Sequence, residues 1–174
     1  MVDKESAKQL VFNQINKFAS TLGELVVLDD CAIEKEFGWV FFWDSALHQQ
    51  TNDFQHAYAG NAPIIVNRQD GSLHFTGTAY PTEHYIREYE DNLEREHQKW
   101  ALIIHDDPKQ SVQIQARIKK ALGLSLQEVG DLKAKIPGII ATGARRDLLA
   151  RYDALVLYGI SADLKERTEI ESRI

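Results

Sequence analysis

Residues 38–43 read GWVFFW, a glycine followed by five consecutive β-branched or aromatic side chains. In a strand, successive side chains point to opposite faces, so Trp39, Phe41 and Trp43 lie on one side and Val40 and Phe42 on the other. A strand that is apolar on both faces belongs at the centre of a sheet whose two sides are covered. With helices on both sides, all five residues are core. The competing use is as an anchor for a partner, with Trp39 and Trp43 as its candidates, because buried aromatics dominate interface energetics.

The flanking sequence supplies elements for such a sheet. Residues 6–22 place Ala7, Leu10, Val11, Ile15, Phe18 and Leu22 at steps of three and four, which predicts an amphipathic helix ending near Gly23. Residues 24–37 are rich in Val, Leu and Ile and read as a strand. The polar stretch 44–59 has no clean period and is read as a surface crossing with one helical turn. Residues 64–67 and 72–75 form a hairpin around Asp70-Gly71, a pair that accepts positive φ. After Pro81, with Thr82 as cap, Tyr85, Ile86, Tyr89 and Leu93 mark one face of a long helix.

From Trp100 onward the pattern changes to strand, helix, helix, strand, helix, strand. The first of these helices carries Val112, Ile114, Ile118 and Leu122 and stops at Gly123, and the second starts at a capping box, Ser125 with Glu128. The fold class is therefore α+β in two small domains. Residues 1–98 form a helix-flanked antiparallel sheet and residues 99–174 a βααβαβ domain, with the boundary between Glu94 and Trp100.

Charge divides the chain in the same place. Residues 1–98 hold 7 Lys+Arg against 16 Asp+Glu, a net of −9, whereas residues 99–174 carry a net of +3. An acidic half repels nucleic acid phosphates and steers basic proteins toward itself, so no nucleic acid partner is expected. A single cysteine, Cys31, cannot form an internal disulfide, and no run approaches the roughly 18 apolar residues of a membrane span. The expected setting is reducing and cytoplasmic, with no membrane partner.

The residues able to carry chemistry do not assemble into a motif. Histidines stand at 48, 56, 74, 84, 97 and 105. Asp44 and His48 share the spacing of one helical face, but His56 lies off that face, and zinc requires three or four converging ligands. His105-Asp106-Asp107 sits where a strand gives way to a helix, a place where an aspartate caps unpaired N–H groups. Cys31 has no neighbouring histidine, no serine stands in G-x-S-x-G, and the glycines form no phosphate loop. No catalytic residue, metal or cofactor is expected. Gly60, Asn61 and Pro63 are read as determinants of the first domain's structure, Asn61 through a hydrogen bond to loop backbone.

Taken in order, GWVFFW, YAGNAPIIV (58–66), Asp70-Gly71 and GTAYPTEHYIREYE (77–90) resemble the immunity protein 35 family, the YrhB-like domain of bacteria, over about residues 5–92. The resemblance implies an intracellular, non-enzymatic antidote that binds and blocks a cognate protein toxin of a polymorphic toxin system. The acidic half suits a basic toxin, and Asn61 joins Trp39 and Trp43 as a candidate contact. Residues 99–168 are similar, through GLSLQE (123–128), Ile136-Pro137, Gly143 and Tyr158-Gly159, to the C-terminal domain of the bacterial ribosomal stalk protein, and IIHDD looks like part of the ClpS adaptor, which shares that fold. This second resemblance implies an alternative role, an adaptor docking on translation or proteolytic machinery through Lys119, Lys120, Lys133 and Lys135. Neither resemblance fixes the oligomeric state.

Overall fold

Asp3 opens the first helix by accepting the Ser6 N–H at 2.7 Å, and α1 (Lys4–Ile15) follows. Ala7, Val11 and Ile15, one turn apart, are its buried residues. The computed structural model describes the chain except residues 18, 20–22 and 172–174. The part of the expected helix that holds Phe18 and Leu22 lies outside the described residues. The described chain divides into two compact units, Met1–Arg87 and Glu88–Ile174.

In the first unit β1 (Leu25–Lys35), β2 (Gly38–Ser45), β3 (Ile64–Asn67) and β4 (Leu73–Phe75) form an antiparallel sheet in chain order. Opposed residues share a face. Trp39 pairs with Val66 and Phe41 with Ile64, and these four join Trp43, Leu25 and the α1 residues Ala7, Val11 and Ile15 in one core. On the other face Val40 and its partner Ile65 are also fully buried. Of the five side chains expected in the core, Trp39, Val40, Phe41 and Trp43 are buried and Phe42, on the Val40 face, is half-buried. Gly38 is required where β2 begins: its φ is 147°, and an added Cβ would lie 2.0 Å from the Val66 carbonyl oxygen. The other side of β2 is less regular, for residues 29–32 of β1 stand opposite the single Phe41, a bulge in an edge strand.

The polar stretch after β2 is more ordered than its sequence suggests, holding α2 (Ala46–Thr51) and a 3₁₀ turn (Phe54–His56). Helix α3 (Thr82–Glu96) contains the division between units, and Thr82 is its first residue rather than its cap.

In the second unit the order is β5 (Trp100–Ile104), α4 (Val112–Leu122), α5 (Leu126–Leu132), β6 (Gly138–Gly143), α6 (Arg145–Leu157), β7 (Ala162–Glu166) and a short α7 (Arg167–Glu171). This is the expected βααβαβ series with one further turn of helix. β5 lies between β6 and β7, antiparallel to both. Leu102 and Ile104 pack with Ile118, Ile136, Leu148, Leu155 and Ile160 in its core. The capping box forms in full, with Ser125 N–H donating to Glu128 at 2.7 Å and Glu128 N–H to Ser125 Oγ at 3.2 Å. The cap expected of Asp106 or Asp107 is a correction. Ser111 caps α4, receiving the N–H groups of Gln113 and Ile114, whereas Asp107 receives the Lys109 N–H and Asp106 the Ser161 N–H. The intervening Pro108-Lys109-Gln110 turn moves the helix start beyond reach of an aspartate cap.

Candidate partner-binding surface

Asp44, the last residue but one of strand β2, is only 6% exposed. A carboxylate in that position must be hydrogen-bonded, because an unpaired buried charge costs several kcal/mol. Asp44 Oδ1 accepts the N–H groups of Ser45 at 2.7 Å and Tyr58 at 2.9 Å, and Oδ2 meets His48 Nδ1 at 2.6 Å. Burial alone would raise this carboxyl, but the bonds from Tyr58, His48 and Ser45 outweigh it and hold the group below the usual carboxylate range. One side chain thus joins the outgoing end of the β2–β3 connection, at Ser45 and His48, to its returning end at Tyr58.

Local bonds fix what lies between. Ser45 Oγ accepts the His48 N–H at 3.0 Å and starts α2. Asn52 ends it in the left-handed region at φ 54°, donating its N–H to the His48 carbonyl. Asp53 then receives the Gln55 N–H at 2.9 Å and starts the 3₁₀ turn. Held this way, Phe54 is 86% exposed and Leu47 47% exposed. The Phe54 ring centre stands 5.8 Å from that of His48. Beside them a concavity of about 490 Å³ is lined by Glu24, Ser45, Gln50, Gln55, His56 and Tyr58, among others. No lysine or arginine occurs between Lys35 and Arg68, so the connection's formal charges are those of Asp44 and Asp53.

Trp43 and Asn61 brace this connection from beneath. The Trp43 indole N–H donates to the Ala62 carbonyl at 2.9 Å, Asn61 Nδ2 donates to the Trp43 carbonyl at 2.9 Å, and the Trp43 and Tyr58 rings stand 5.1 Å apart. Pro63 accepts the Thr76 N–H and hydroxyl, which ties the end of the connection to the segment after β4. Trp39 is 2% exposed, under the Arg68 guanidinium at 4.4 Å, and Trp43 is 8% exposed. Lys119 and Lys120 close α4, with Lys120 over the Tyr158 ring at 5.5 Å. Lys133 follows α5, and Lys135 lines a groove with Glu128, Asp131 and Arg151. Among the described residues no three His, Cys, Asp or Glu side chains are grouped to hold a metal ion, and Asp44 and His48 are bonded to each other. No described helix is long and apolar enough to cross a membrane.

Reading the sequence missed Phe54 and Leu47. The available signal is a large apolar residue, Phe54, set in the polar run Thr-Asn-Asp-Phe-Gln-His.

A family model described as Imm35, immunity protein 35, matches residues 5–92, just over half of the 174 residues. The uncharacterized protein YrhB of Escherichia coli (strain K12) is 40% identical over 53 residues, which make up 30% of this chain and 56% of that protein. The alignment spans about half the length of this curated relative. No solved structure matches the chain. The family match ends at residue 92, and the resemblance of residues 99–168 to the ribosomal stalk domain is not shown by it. Through the sheet, the Asp44 connection and the start of α3, all of which fall within the matched segment, the chain belongs to the immunity protein 35 family.

Proposed function

We propose that this protein neutralises a cognate protein toxin of a bacterial polymorphic toxin system by forming a stoichiometric complex in the cytoplasm, without catalysis. The observation that carries this reading is the immunity-family match over residues 5–92, which takes in nearly all of the first unit. Charge supports it: residues 1–87 hold 6 Lys+Arg against 11 Asp+Glu. An acidic surface accelerates encounter with a basic protein, an effect that salt screens over roughly 8–10 Å at physiological strength. The activity belongs to the first domain, residues 1–98, and the toxin is a basic protein.

The test is affinity isolation of the tagged full chain from its own cells at low and high salt. The expected product is a partner that arrests growth when expressed alone, is silent when co-expressed with this chain, and retains its intact mass after the complex is dissociated. Recovery of no growth-arresting partner overturns the reading, and a partner whose mass has changed overturns its non-catalytic part.

A further inference from the structure

Resting on the immunity reading, we propose that the Asp44-held connection between β2 and β3 is the face that grips the toxin, with Phe54 as its anchor. The partner it fits is a protein surface with an apolar pocket wide enough for a phenyl ring and a rim of lysine or arginine.

The length of the connection is the first argument. β2 and β3 are adjacent antiparallel strands, and such neighbours are commonly joined by a few residues. Here the last paired residues are Phe41 and Ile64, so far more chain intervenes than joining them requires. Connections of more than about 12–15 residues without secondary structure are uncommon in compact domains and are either functional or disordered; this one is built up by α2 and a 3₁₀ turn, more structure than the joining of two neighbouring strands calls for.

Its construction is the second. A flexible surface crossing needs no buried carboxylate, yet Asp44 holds both ends, Ser45 and Asp53 cap the two short helical pieces, and Asn61 and Trp43 tie the returning chain to β2. A single exposed apolar residue needs no explanation on a protein surface. A phenyl ring 86% exposed on a backbone fixed at so many points is different, because an aromatic already held in place loses little freedom when it enters a pocket. Leu47, 47% exposed on α2, and the neighbouring concavity extend the surface from a point to a patch.

The chemistry of the partner follows from what surrounds the ring. The absence of lysine and arginine from residues 36–67 leaves the carboxylates of Asp53 and Glu24 exposed at this face, with Gln50 and Gln55 as neutral hydrogen-bonding groups. An apolar anchor within an anionic rim is complementary to an apolar pocket within a cationic one.

The experiment compares full-length wild type, Phe54→Ala, Phe54→Lys, Asp53→Asn and Tyr80→Ala for binding to the growth-arresting partner recovered with the wild-type chain. Tyr80 is 60% exposed in an aromatic group with His84 and Tyr85, outside the β2–β3 connection, and serves as the control. Phe54→Ala and Phe54→Lys are expected to keep the wild-type circular dichroism and to weaken binding by roughly 30-fold or more, as loss of a hot-spot aromatic does. Asp53→Asn keeps a capping oxygen and removes the charge. It is expected to slow association a few-fold and reduce its salt dependence. Wild-type binding by both Phe54 variants, or loss of binding in Tyr80→Ala alone, overturns this assignment while the immunity reading stands. A wild-type chain that captures no growth-arresting partner overturns both.

Discussion

Trp43 and Phe54 belong to adjoining segments, and what holds each ring in place differs throughout. Trp43 lies in a strand, paired with Val27 of β1, and it packs with Phe41, Ile64 and Ile15 in one core. Phe54 lies in a connection whose position is set by a buried carboxylate, two short caps and an amide, and its ring points into solvent. Apolar packing therefore fixes the sheet, and hydrogen bonds fix the surface that the sheet carries. The difference separates changes that lower stability from changes that alter only what the surface can bind.

The sharpest way to break the comparison is Trp43→Ala. Removal of a core tryptophan leaves a cavity and costs about 3–5 kcal/mol, a large part of the 5–15 kcal/mol that holds a typical domain together. The Ala62 carbonyl loses its indole donor as well. Urea unfolding monitored by circular dichroism is expected to show a midpoint shifted far down or no cooperative transition for the first unit. A variant with near-wild-type stability would mean that Trp43 is not the support described.

Asp44→Ala comes next. It leaves the Ser45 and Tyr58 N–H groups without their acceptor, and each buried unsatisfied donor costs about 1–3 kcal/mol. Its titration gives a second readout. Because the folded-state pKa lies below the ordinary value of 3.8, Asp44 contributes stability that is fully present above that value and is lost as pH falls through the lowered one. Stability measured between pH 5 and about pH 2 is expected to fall less steeply in Asp44→Asn than in wild type. Some acid dependence remains, since Asp147, held low by Arg95, and Asp163, held low by Lys165 and His105, titrate in the same range. An unchanged slope in Asp44→Asn would remove Asp44 from the account of the connection.

Much of the sheet was legible because its signals are periodic or local. GWVFFW announced a doubly covered strand, Asp70-Gly71 a turn between paired strands, and Ser125 with Glu128 a capping box. The β2–β3 connection was not legible, because the contacts that shape it join residues with no repeating relation. The Asp44 to Tyr58 bond spans the connection and leaves no mark in the pattern of residue types. Asp44 and His48 did stand out as a pair on one helical face, and their use is a hydrogen bond within the fold. The sequence predicts that Asn61 bonds to loop backbone; in the fold its amide donates instead to the carbonyl of Trp43 in strand β2. Asn61→Ala is accordingly expected to lower stability by about 1 kcal/mol, the worth of one hydrogen bond, measured as a small shift in urea midpoint at unchanged slope. A loss near that of Trp43→Ala would show that the amide, not the indole, anchors the returning chain.

The smallest stability effect separates the two regions most clearly. At 86% exposure the Phe54 ring covers little apolar surface of its own chain, so Phe54→Ala removes almost no buried area. Surface substitutions of this kind change stability by no more than about 0.5 kcal/mol, and the alanine relieves the solvent of an exposed ring. The urea midpoint of the variant is thus expected to coincide with that of wild type or to lie slightly above it. A drop of about 2 kcal/mol would instead place the ring among the supports of the connection, through its contact with His48, and would make Phe54 a second Trp43 rather than its opposite. Read beside Trp43→Ala, an unchanged midpoint leaves only one kind of consequence for the loss of Phe54, a change in what the surface binds.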